Sequence, residues 1–385
     1  MKTGQTYDTA VVGAGVFGAW AAYRLREAGL SVALLDAYGP ANSRASSGGE
    51  SRIIRLGYGA DEVYTRSAVR SLALWQEFFG EAGLPLFRRT GVLWLAEGED
   101  PYTLATLRTL AEVGAGFERL TREDLDARFP QFAHGPEAWG VFEPDSGVLM
   151  ARSAVRAVVG EAVRRGVSYL PGAVEAPAGG GRLDSVGTTG GLRVSAANFV
   201  FACGPWLPRL FPALLGEVIR PTRQEVFFFG VGAGDRRFAP PAMPAWVDFK
   251  ELFYGVPDLE SRGFKIAADR HGPPFDPDEG ERLATAEGLA AAREHLARRL
   301  PALRDAPVVE TRVCQYENTL NGDFLVDRHP DFDNVWIVGG GSGHGFKHGP
   351  AVGEYVAARV TGAGGEVEPR FALPLAGKTR QRLVY

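Results

Sequence analysis

The chain contains little cysteine and no long apolar segment. Only two of its 385 residues are cysteines, Cys203 and Cys314, and they lie far apart in the sequence. This excludes a disulfide framework and a paired-cysteine zinc site, and it fits a reducing cytoplasm. No run of about 18 consecutive apolar residues occurs, so we expect no membrane span. The first residues, MKTGQTYDTA, lead directly into an apolar strand, and we therefore expect no secretory signal.

The sequence also lacks a strong excess of either charge. Its 42 Lys and Arg residues nearly balance its 46 Asp and Glu residues, which gives a formal net charge of −4. We therefore expect neither a nucleic acid nor an anionic membrane as a partner. Glycine is abundant, with 50 residues, which indicates tight turns and close approach of the backbone to a ligand. The length predicts about two domains.

The first glycine-rich segment predicts a dinucleotide-binding unit. Residues 9–36 read TAVVGAGVFGAWAAYRLREAGLSVALLD, the pattern of a strand, a glycine turn, a helix and a second strand. Gly13 permits the turn, Gly15 lets the backbone approach a pyrophosphate, and Gly18 lets the helix pack against the sheet. Asp36 lies 18 residues after Gly18, close to the spacing of about 20 residues expected for the carboxylate that binds a ribose hydroxyl. This pattern does not distinguish NAD from FAD.

The next polar segment, SSGGESRIIRLGYG, begins at Ser46 and carries two arginines. Arg52 and Arg55 are three residues apart, so they could share a face if the segment is helical. They could also be solvated surface charges, but the apolar residues between and after them argue against full exposure. We favour a functional role for both arginines and add Ser46 and Ser47 as candidate cofactor contacts.

A second glycine-rich segment occurs near the C-terminus. NVWIVGGGSGHGFKHGPAVGEYVAARVTG predicts a buried strand, a glycine loop and a helix that opens near Pro350. The N-terminus of this helix would favour a negatively charged ligand, and Gly343, His344, Gly345 and Lys347 are candidate cofactor contacts. His344 and His348 are four residues apart, but no carboxylate lies near them in the sequence, so we expect no metal site.

The remaining patterns predict two structural units. We expect α/β organisation, α+β overall, with a Rossmann-like dinucleotide-binding domain and a second substrate-binding domain built on a mixed or antiparallel sheet. The predicted bounds are 1–85, 146–220 and 315–385 for the first domain, and 86–145 and 221–314 for the second. Cys203 ends the buried strand FVFACGPW, where ligands gather, although a buried apolar cysteine is the simpler interpretation. Val174 is a further candidate cofactor contact.

Five segments occur in an order that resembles a known family of flavoproteins. They are GAGVFG, SSGGESRIIR, GFK (263–265), CQY (314–316) and GSGHGFK (341–347). Together they resemble the glycine-oxidase/D-amino-acid-oxidase superfamily, and the closest branch is that of monomeric sarcosine oxidase and N-methyltryptophan oxidase. The similarity covers nearly the whole chain. It implies that the dinucleotide is FAD.

The resemblance assigns three residues to the flavin. Cys314 corresponds to the cysteine that bonds to the flavin 8α-methyl group, so the FAD would be covalently attached. Arg52 matches an arginine close to the flavin, where a positive charge favours the reactive thiolate. Lys265 matches the lysine beside flavin N5 that activates oxygen, because a fixed cation stabilises developing superoxide.

The resemblance also assigns a substrate pocket. Arg55 and Lys347 match the pair that holds the substrate carboxylate, the arginine as a bidentate fork and the lysine as a point charge. Tyr254 and Tyr316 match residues that line the pocket, although packing in the core is an equally good interpretation of each tyrosine. Asp269 stands where the sarcosine-oxidase branch has a pocket histidine, and Gly48 where it has another histidine. A carboxylate at Asp269 suggests a substrate other than sarcosine, with a polar or cationic side chain.

The implied function is the FAD-dependent oxidation of a secondary amine or N-substituted amino acid. Hydride transfer to the flavin would give an imine that hydrolyses, and oxygen would re-oxidise the flavin to yield hydrogen peroxide. We expect a cytoplasmic monomer. The main alternative is an FAD-dependent dehydrogenase with an acceptor other than oxygen. A pyridine-nucleotide dehydrogenase and a non-catalytic flavin-binding protein are the remaining alternatives.

Overall fold

The computed structural model describes residues 6–364 and 368–374. Residues 1–5, which belong to the segment used to argue against a secretory signal, and residues 365–367 and 375–385 of the predicted FAD-binding domain lie outside the described residues. Within the described part of the chain, no helix combines the length and the apolar character that crossing a membrane requires.

The described residues form nine α-helices. In chain order they are α1 (Val16–Glu27), α2 (Glu62–Ala82), α3 (Pro101–Glu112), α4 (Arg122–Arg128), α5 (Ala151–Arg164), α6 (Leu207–Leu210), α7 (Pro212–Leu215), α8 (Ala286–Arg299) and α9 (Gly349–Thr361).

The same residues form eighteen strands. They are β1 (Thr6–Val12), β2 (Val32–Asp36), β3 (Arg52–Ile54), β4 (Phe87–Arg88), β5 (Val92–Glu97), β6 (Glu118–Leu120), β7 (Ala138–Glu143), β8 (Gly147–Leu149), β9 (Ser168–Pro171), β10 (Ser185–Gly187), β11 (Arg193–Phe201), β12 (Ile219–Phe229), β13 (Ala245–Asp248), β14 (Phe253–Val256), β15 (Phe264–Ala268), β16 (Val308–Thr319), β17 (Leu325–Arg328) and β18 (Val335–Gly339).

A seven-stranded sheet contains both glycine-rich segments. Its order is β17-β18-β11-β1-β2-β9, with β10 added beside β11. Strands β18, β11, β1, β2 and β9 run parallel, whereas β17 and β10 pair antiparallel. Because side chains alternate between the faces of a strand, Val11 packs with helices α1, α5 and α9, while Ala10 and Val12 pack on the other side with the α6–α7 segment. The predicted Rossmann-like unit is confirmed.

The glycines of the first turn are required by close backbone contacts. Gly13 has φ of 103°, and a Cβ there would lie 2.4 Å from the carbonyl oxygen of Ala202. A Cβ on Gly18 would lie 1.8 Å from the carbonyl oxygen of Gly13. The turn therefore folds tightly under the start of α1 and places the helix N-terminus at the carboxyl ends of β1 and β11.

An eight-stranded sheet forms the second unit. Its order is β16-β12-β15-β14-β13-β5-β7-β6, and only the β13–β5 pair is parallel. This agrees with the predicted mixed sheet. Its long pair, β12 and β16, places Cys314 opposite Gln224. Helix α8 packs its buried side chains against the apolar face formed by β12, β13 and β15.

Strands β12 and β16 also bear on the proposed domain division, which remains a proposal. Strand β12 spans the predicted 220/221 boundary and β16 spans the 314/315 boundary. Both strands lie wholly in the eight-stranded sheet.

The segment with the two arginines is not helical. Residues Arg52–Ile54 form strand β3, which pairs with β8 in a three-stranded sheet of order β3-β8-β4. The idea that Arg52 and Arg55 share a helix face is therefore wrong. Pairing with β8 holds the segment extended and overrides its local spacing.

Candidate active site

Two cavities adjoin between the sheets. The long cavity, of about 290 Å³, extends from the first glycine turn to Phe346, and the small cavity, of about 80 Å³, lies against the eight-stranded sheet. The residues that line both cavities mark their junction: Arg52, Cys314, Tyr316, Gly343 and Phe346. Most of the predicted cofactor contacts line the long cavity: Gly13, Gly15, Asp36, Ser46, Ser47, Arg52, Val174, Cys203, Cys314, Gly343 and Gly345.

The end of the long cavity at β2 is organised by Asp36. Its carboxylate accepts N–H bonds from Ala14 at 2.7 Å, Tyr38 at 2.9 Å and Gly39 at 2.7 Å. Burial raises the pKa of Asp36, although these three bonds oppose the shift. The carboxylate thus ties the glycine turn to the end of β2 and still faces the cavity. Gly15 contributes no side-chain cap of its own to α1, so the partial positive charge of the helix N-terminus can act on a phosphate.

The loop after β2 closes over the start of α1. The hydroxyl of Ser47 accepts the N–H of Val16 at 3.0 Å, and the carbonyl of Ser46 accepts a bond from Arg52 at 2.6 Å. A Cβ on Gly48 would lie 1.9 Å from the carbonyl oxygen of Asn42, so this loop leaves no room for a side chain at that position. This close contact accounts for the glycine at position 48, where the resemblance expects a histidine.

The two cysteines occupy different places in the long cavity. Cys203 donates to the carbonyl of Val12 at 3.3 Å, and burial strongly raises its pKa, so it remains a thiol. Cys314 lies at the junction, where Arg52 Nη2 donates to its sulfur at 3.5 Å. Cys314 is thus the cysteine that lies where the two cavities meet.

Lys265 is buried behind the junction and lines neither cavity. Its ammonium donates to the carbonyl of Ser51 at 2.9 Å and lies 5.5 Å from the centre of the Tyr254 ring. Burial, assisted by Arg52, lowers the pKa of Lys265 to about 7. A positive charge here is therefore costly unless negative charge develops nearby.

Arg55 lies in the small cavity inside an aromatic cage. Its guanidinium carbon is 4.3 Å from the ring centre of Tyr58, 5.2 Å from that of Trp94 and 5.0 Å from that of Phe249. Aromatic faces attract a cation and hold it in a fixed place. The side chain is only 5% exposed, so the solvated-surface interpretation of this arginine is excluded.

Sequence reasoning missed the residue that fixes the Arg55 loop. Glu143 is fully buried and accepts N–H bonds from Leu56 at 2.7 Å, from Gly57 at 3.2 Å and from the Trp94 indole at 2.8 Å. These bonds hold the backbone that follows Arg55. An isolated glutamate at the end of a strand carried no signal of this role.

Lys347 reaches the same cavity from the second glycine segment. Its side-chain nitrogen donates to the hydroxyl of Tyr58 at 2.7 Å and to the carbonyl of His344 at 3.1 Å. Burial and the nearby Arg55 lower the pKa of Lys347 well below its ordinary value, while Asp269 opposes the shift. The structure thus brings together the two cations that the resemblance assigned to a carboxylate.

The other wall of the small cavity includes the two predicted tyrosines. Tyr316 donates its hydroxyl proton to Asp269 at 3.1 Å, and Tyr254 lies nearby on β14. Gly343 has φ of 82°, and a Cβ there would lie 2.7 Å from the Tyr316 ring. The sequence predicted His344 as a cofactor contact. In the structure it lines the small cavity and not the long one.

A carboxylate–histidine cluster lies beside α8. Asp248, Glu251 and His295 place possible ligand atoms within 4.8 Å of one another. Arg299 forms ion pairs with Asp248 at 3.1 Å and with Glu251 at 3.2 Å, and Arg298 also contacts Glu251. These guanidinium groups neutralise the carboxylates, so the geometry favours an ion-pair cluster over a metal site.

Glu317 is a second residue that sequence reasoning missed. It lines the long cavity, and one carboxyl oxygen accepts the N–H of Gly341 at 3.1 Å. The other oxygen is buried without a hydrogen-bond partner among the described residues. Burial raises the pKa of Glu317 to about 7. At neutral pH it therefore has a substantial neutral fraction that can donate a proton to a ligand.

We expect Glu317→Gln to remove a pH-dependent loss of stability. Because the pKa rises from an ordinary 4.5 to about 7 in the folded protein, folded chains hold this proton more tightly between these values. Stability should therefore fall as pH rises through that window, by about 3 kcal/mol, and the variant should lack this fall. Urea unfolding of flavin-free protein, with Cys314→Ser in both the wild-type and the Glu317→Gln backgrounds, measures the free energy of unfolding at pH 5 and 8.

The control for this prediction is Glu217→Gln. That side chain is 93% exposed, so its removal should leave the pH dependence as in the wild type. An equal fall in stability with and without Glu317 would show that this carboxyl group does not titrate as its burial implies.

The fold and the adjoining cavities define the class of protein. The long cavity extends along the first glycine turn, at the N-terminus of α1, and along the second glycine segment, and the small cavity, lined by Arg55 and Lys347, meets it at Cys314. This is the arrangement of a dinucleotide-dependent oxidoreductase, in which cofactor and substrate meet at a junction.

Comparison with known proteins specifies the family. The chain matches the DAO family, described as FAD dependent oxidoreductase, over residues 8–359. It is 30% identical to the monomeric sarcosine oxidase of Bacillus sp. (strain B-0618), with 91% of each chain covered. It is 33% identical to the peroxisomal sarcosine oxidase of Mus musculus, with 90% of each covered. The chain therefore belongs to the DAO family and is an FAD-dependent oxidoreductase.

One further relative and two solved structures extend the comparison. The N-methyl-L-tryptophan oxidase of Salmonella arizonae is 30% identical, with 91% of this chain and 94% of that protein covered. The structure of NikD, an unusual amino acid oxidase, superposes with a TM-score of 0.80 at 21% identity, covering 98% of this chain and 100% of that one. The L-proline dehydrogenase of P. horikoshii gives 0.82 at 20% identity, covering 95% and 96%. The two structures show a shared fold.

The residues of the long cavity fit FAD. The turn has no room for a side chain at Gly13 or Gly18, and it would let the backbone approach the pyrophosphate of FAD closely. The hydroxyl oxygen of Ser46 and one carboxyl oxygen of Glu317 are buried without hydrogen-bond partners in the described part of the chain. Buried polar atoms are normally satisfied, so these two atoms suit a polar ligand.

Proposed function

We propose that the protein oxidises a secondary amine or an N-substituted amino acid and transfers the electrons to oxygen, forming hydrogen peroxide. Bound FAD would supply the hydride acceptor, and the imine product would hydrolyse in water. The observation that carries this proposal is the convergence of Arg55 and Lys347 in a small cavity beside the Cys314 junction. The similarity of the chain to a sarcosine oxidase and an N-methyl-L-tryptophan oxidase supports it.

The chain's own contribution is to position the substrate and exclude water. Arg55 and Lys347 would hold a carboxylate, which fixes the amine end of the molecule toward the junction. Tyr254 and Tyr316 close the wall of the cavity. Asp269 places a carboxylate on the same wall, and we propose that it favours a substrate with a polar or cationic side chain over sarcosine.

A substrate panel tests this function. Oxygen consumption and peroxide formation should follow addition of N-methyl amino acids with neutral, acidic and cationic side chains. We expect the cationic or polar members to exceed sarcosine. Sarcosine as the clearly best substrate would contradict the role of Asp269. Oxidation only in the presence of an artificial electron acceptor would favour the dehydrogenase alternative, and no oxidation of any amine would contradict the proposal.

We further propose that the flavin is covalently attached through Cys314 and that the enzyme acts as a cytoplasmic monomer. Acid precipitation of the purified protein should leave the yellow colour in the pellet. Cys314→Ser should move the colour to the supernatant, whereas Cys203→Ser is the matched control and should keep it in the pellet. Colour in the supernatant of the wild type would contradict the covalent bond.

A further inference from the structure

The hydroxyl group of Tyr58 is a buried hub beside the substrate cavity. Lys347 donates to it at 2.7 Å, Nε2 of His348 lies 2.8 Å from it, and Nδ1 of His344 lies 3.2 Å from it. Tyr58, His348 and Lys347 are 2%, 0% and 5% exposed. Three titratable side chains thus meet at one hydroxyl that bulk solvent does not reach.

One branch of this hub ends inside the protein. Nε2 of His344 lies 3.0 Å from the carbonyl oxygen of Gly322, which can only accept a hydrogen bond. This nitrogen therefore carries the hydrogen in the neutral ring, and Nδ1 is an acceptor toward Tyr58. Because a carbonyl cannot pass a proton onward, the contact between His344 and Gly322 cannot extend a proton path.

The other branch reaches the surface. Nδ1 of His348 lies 2.9 Å from the hydroxyl of Ser67, which sits on helix α2 and is partly exposed. Burial, together with the charges of Lys347, His344 and Arg55, lowers the pKa of His348 well below its ordinary value, so the ring is neutral. A neutral imidazole has one donor and one acceptor, and it can pass a proton from one nitrogen to the other side.

We propose that Ser67, His348 and Tyr58 form a proton path between the solvent and Lys347. The proposal rests on the proposed function in one respect, since it requires a substrate carboxylate beside Lys347. In the empty cavity, burial beside Arg55 disfavours the ammonium form of Lys347. A bound carboxylate reverses this preference. Binding of the ligand therefore requires one proton to reach Lys347, which the ligand itself covers.

The transfer balances at each group. Ser67 gives its proton to Nδ1 of His348 and takes one from water. His348 gives the proton on Nε2 to the oxygen of Tyr58, and the Tyr58 hydroxyl, which turns from Nδ1 of His344 toward Lys347, gives its own proton to the neutral amine of Lys347. One proton leaves the solvent, one arrives at Lys347, and no other group changes its charge. When the product leaves, the same path runs in the opposite direction.

The test uses the FAD-bound enzyme and acetate as a carboxylate that cannot be oxidised. Stopped-flow mixing with a pH indicator in weak buffer should show uptake of a proton when acetate binds to the wild type. In Ser67→Ala we expect the uptake to be slower by roughly tenfold or more, because a positioned transfer group is lost. The acetate affinity and the amount of proton taken up should not change, because a path alters rates and not equilibria.

Three variants sharpen the test. Ser71→Ala is the matched control, since Ser71 lies one turn further on α2 and its hydroxyl has no hydrogen-bond partner in the described part of the chain. It should behave like the wild type. Ser67→Thr keeps a hydroxyl and should restore fast uptake. Tyr58→Phe breaks the path nearer to Lys347 and should slow uptake as Ser67→Ala does.

The outcomes separate this proposal from the proposed function. Acetate binding without proton uptake, or equally fast uptake in wild type, Ser67→Ala and Tyr58→Phe, would overturn the path and leave the carboxylate site intact. Failure of acetate to bind to the wild type would overturn the carboxylate site, and the path would fall with it.

Discussion

Replacing Lys265 with methionine should slow the reaction of the reduced enzyme with oxygen by about 10² to 10³-fold, the usual cost of removing one preorganised electrostatic group. Reduction by the substrate should change far less. Lys265 is 2% exposed and its nearest bond is to the carbonyl of Ser51, so its amino group is held in one place in a site of low dielectric. Burial lowers its pKa to about 7, which shows that the site disfavours an isolated positive charge. Negative charge that develops on oxygen nearby would be stabilised by that cation.

Stopped-flow measurement of the two half-reactions separates these effects. Lys250→Met is the matched control, because Lys250 is an exposed lysine that pairs with Glu97 at 3.0 Å on the surface. It should change neither rate. Equal slowing of both half-reactions in Lys265→Met would show that Lys265 supports the site as a whole and has no special role toward oxygen. This distinction matters because Lys265 lies behind the junction and not in the cavity lining.

The first glycine segment could be predicted because its information is local. The alternation of β1, the turn at Gly13 and the helical spacing of α1 lie within a short stretch of chain. Each glycine has a steric reason, such as the 2.4 Å approach of a Cβ on Gly13 to the carbonyl oxygen of Ala202. Asp36 then follows from the length of one βαβ unit.

The surroundings of the two arginines could not be predicted in the same way. Arg52 lies in a strand because β8, nearly a hundred residues later in the chain, pairs with it. The cage around Arg55 is made of Tyr58, Trp94 and Phe249, which come together only in the folded protein. No spacing rule connects such positions. The resemblance identified the arginines, whereas the contacts that hold them are a tertiary property.

The same limit applies to buried carboxylates. Glu143 and Glu317 each look like an ordinary glutamate at a strand end, yet both are nearly or fully buried. Their roles depend on backbone N–H groups of distant loops, at Leu56 and Gly57 for one and at Gly341 for the other. A buried carboxylate needs such partners, so these contacts are found from the fold and not from the sequence pattern.

Replacing Arg55 with lysine should weaken acetate binding and lower kcat/KM for the best carboxylate-bearing substrate by about 10² to 10³-fold, which corresponds to loss of a buried charged hydrogen-bond partner. Lysine keeps the charge but loses the planar fork that binds both oxygens of a carboxylate. It also loses the stacking of a flat guanidinium against Tyr58, which lies 4.3 Å away. Arg119→Lys is the matched control, because Arg119 lies 4.9 Å over the Trp139 ring and is exposed.

A carboxylate-free secondary amine distinguishes binding of the carboxylate from support of the fold. Arg55→Lys should reduce oxidation of this poor substrate by only a few-fold, because the lost interaction was made with a group that it lacks. Equal losses for both substrates, with unchanged acetate affinity, would assign Arg55 to the packing of its aromatic cage. The lysine variant suits this test because it leaves a cation among Tyr58, Trp94 and Phe249 and so avoids an empty cage.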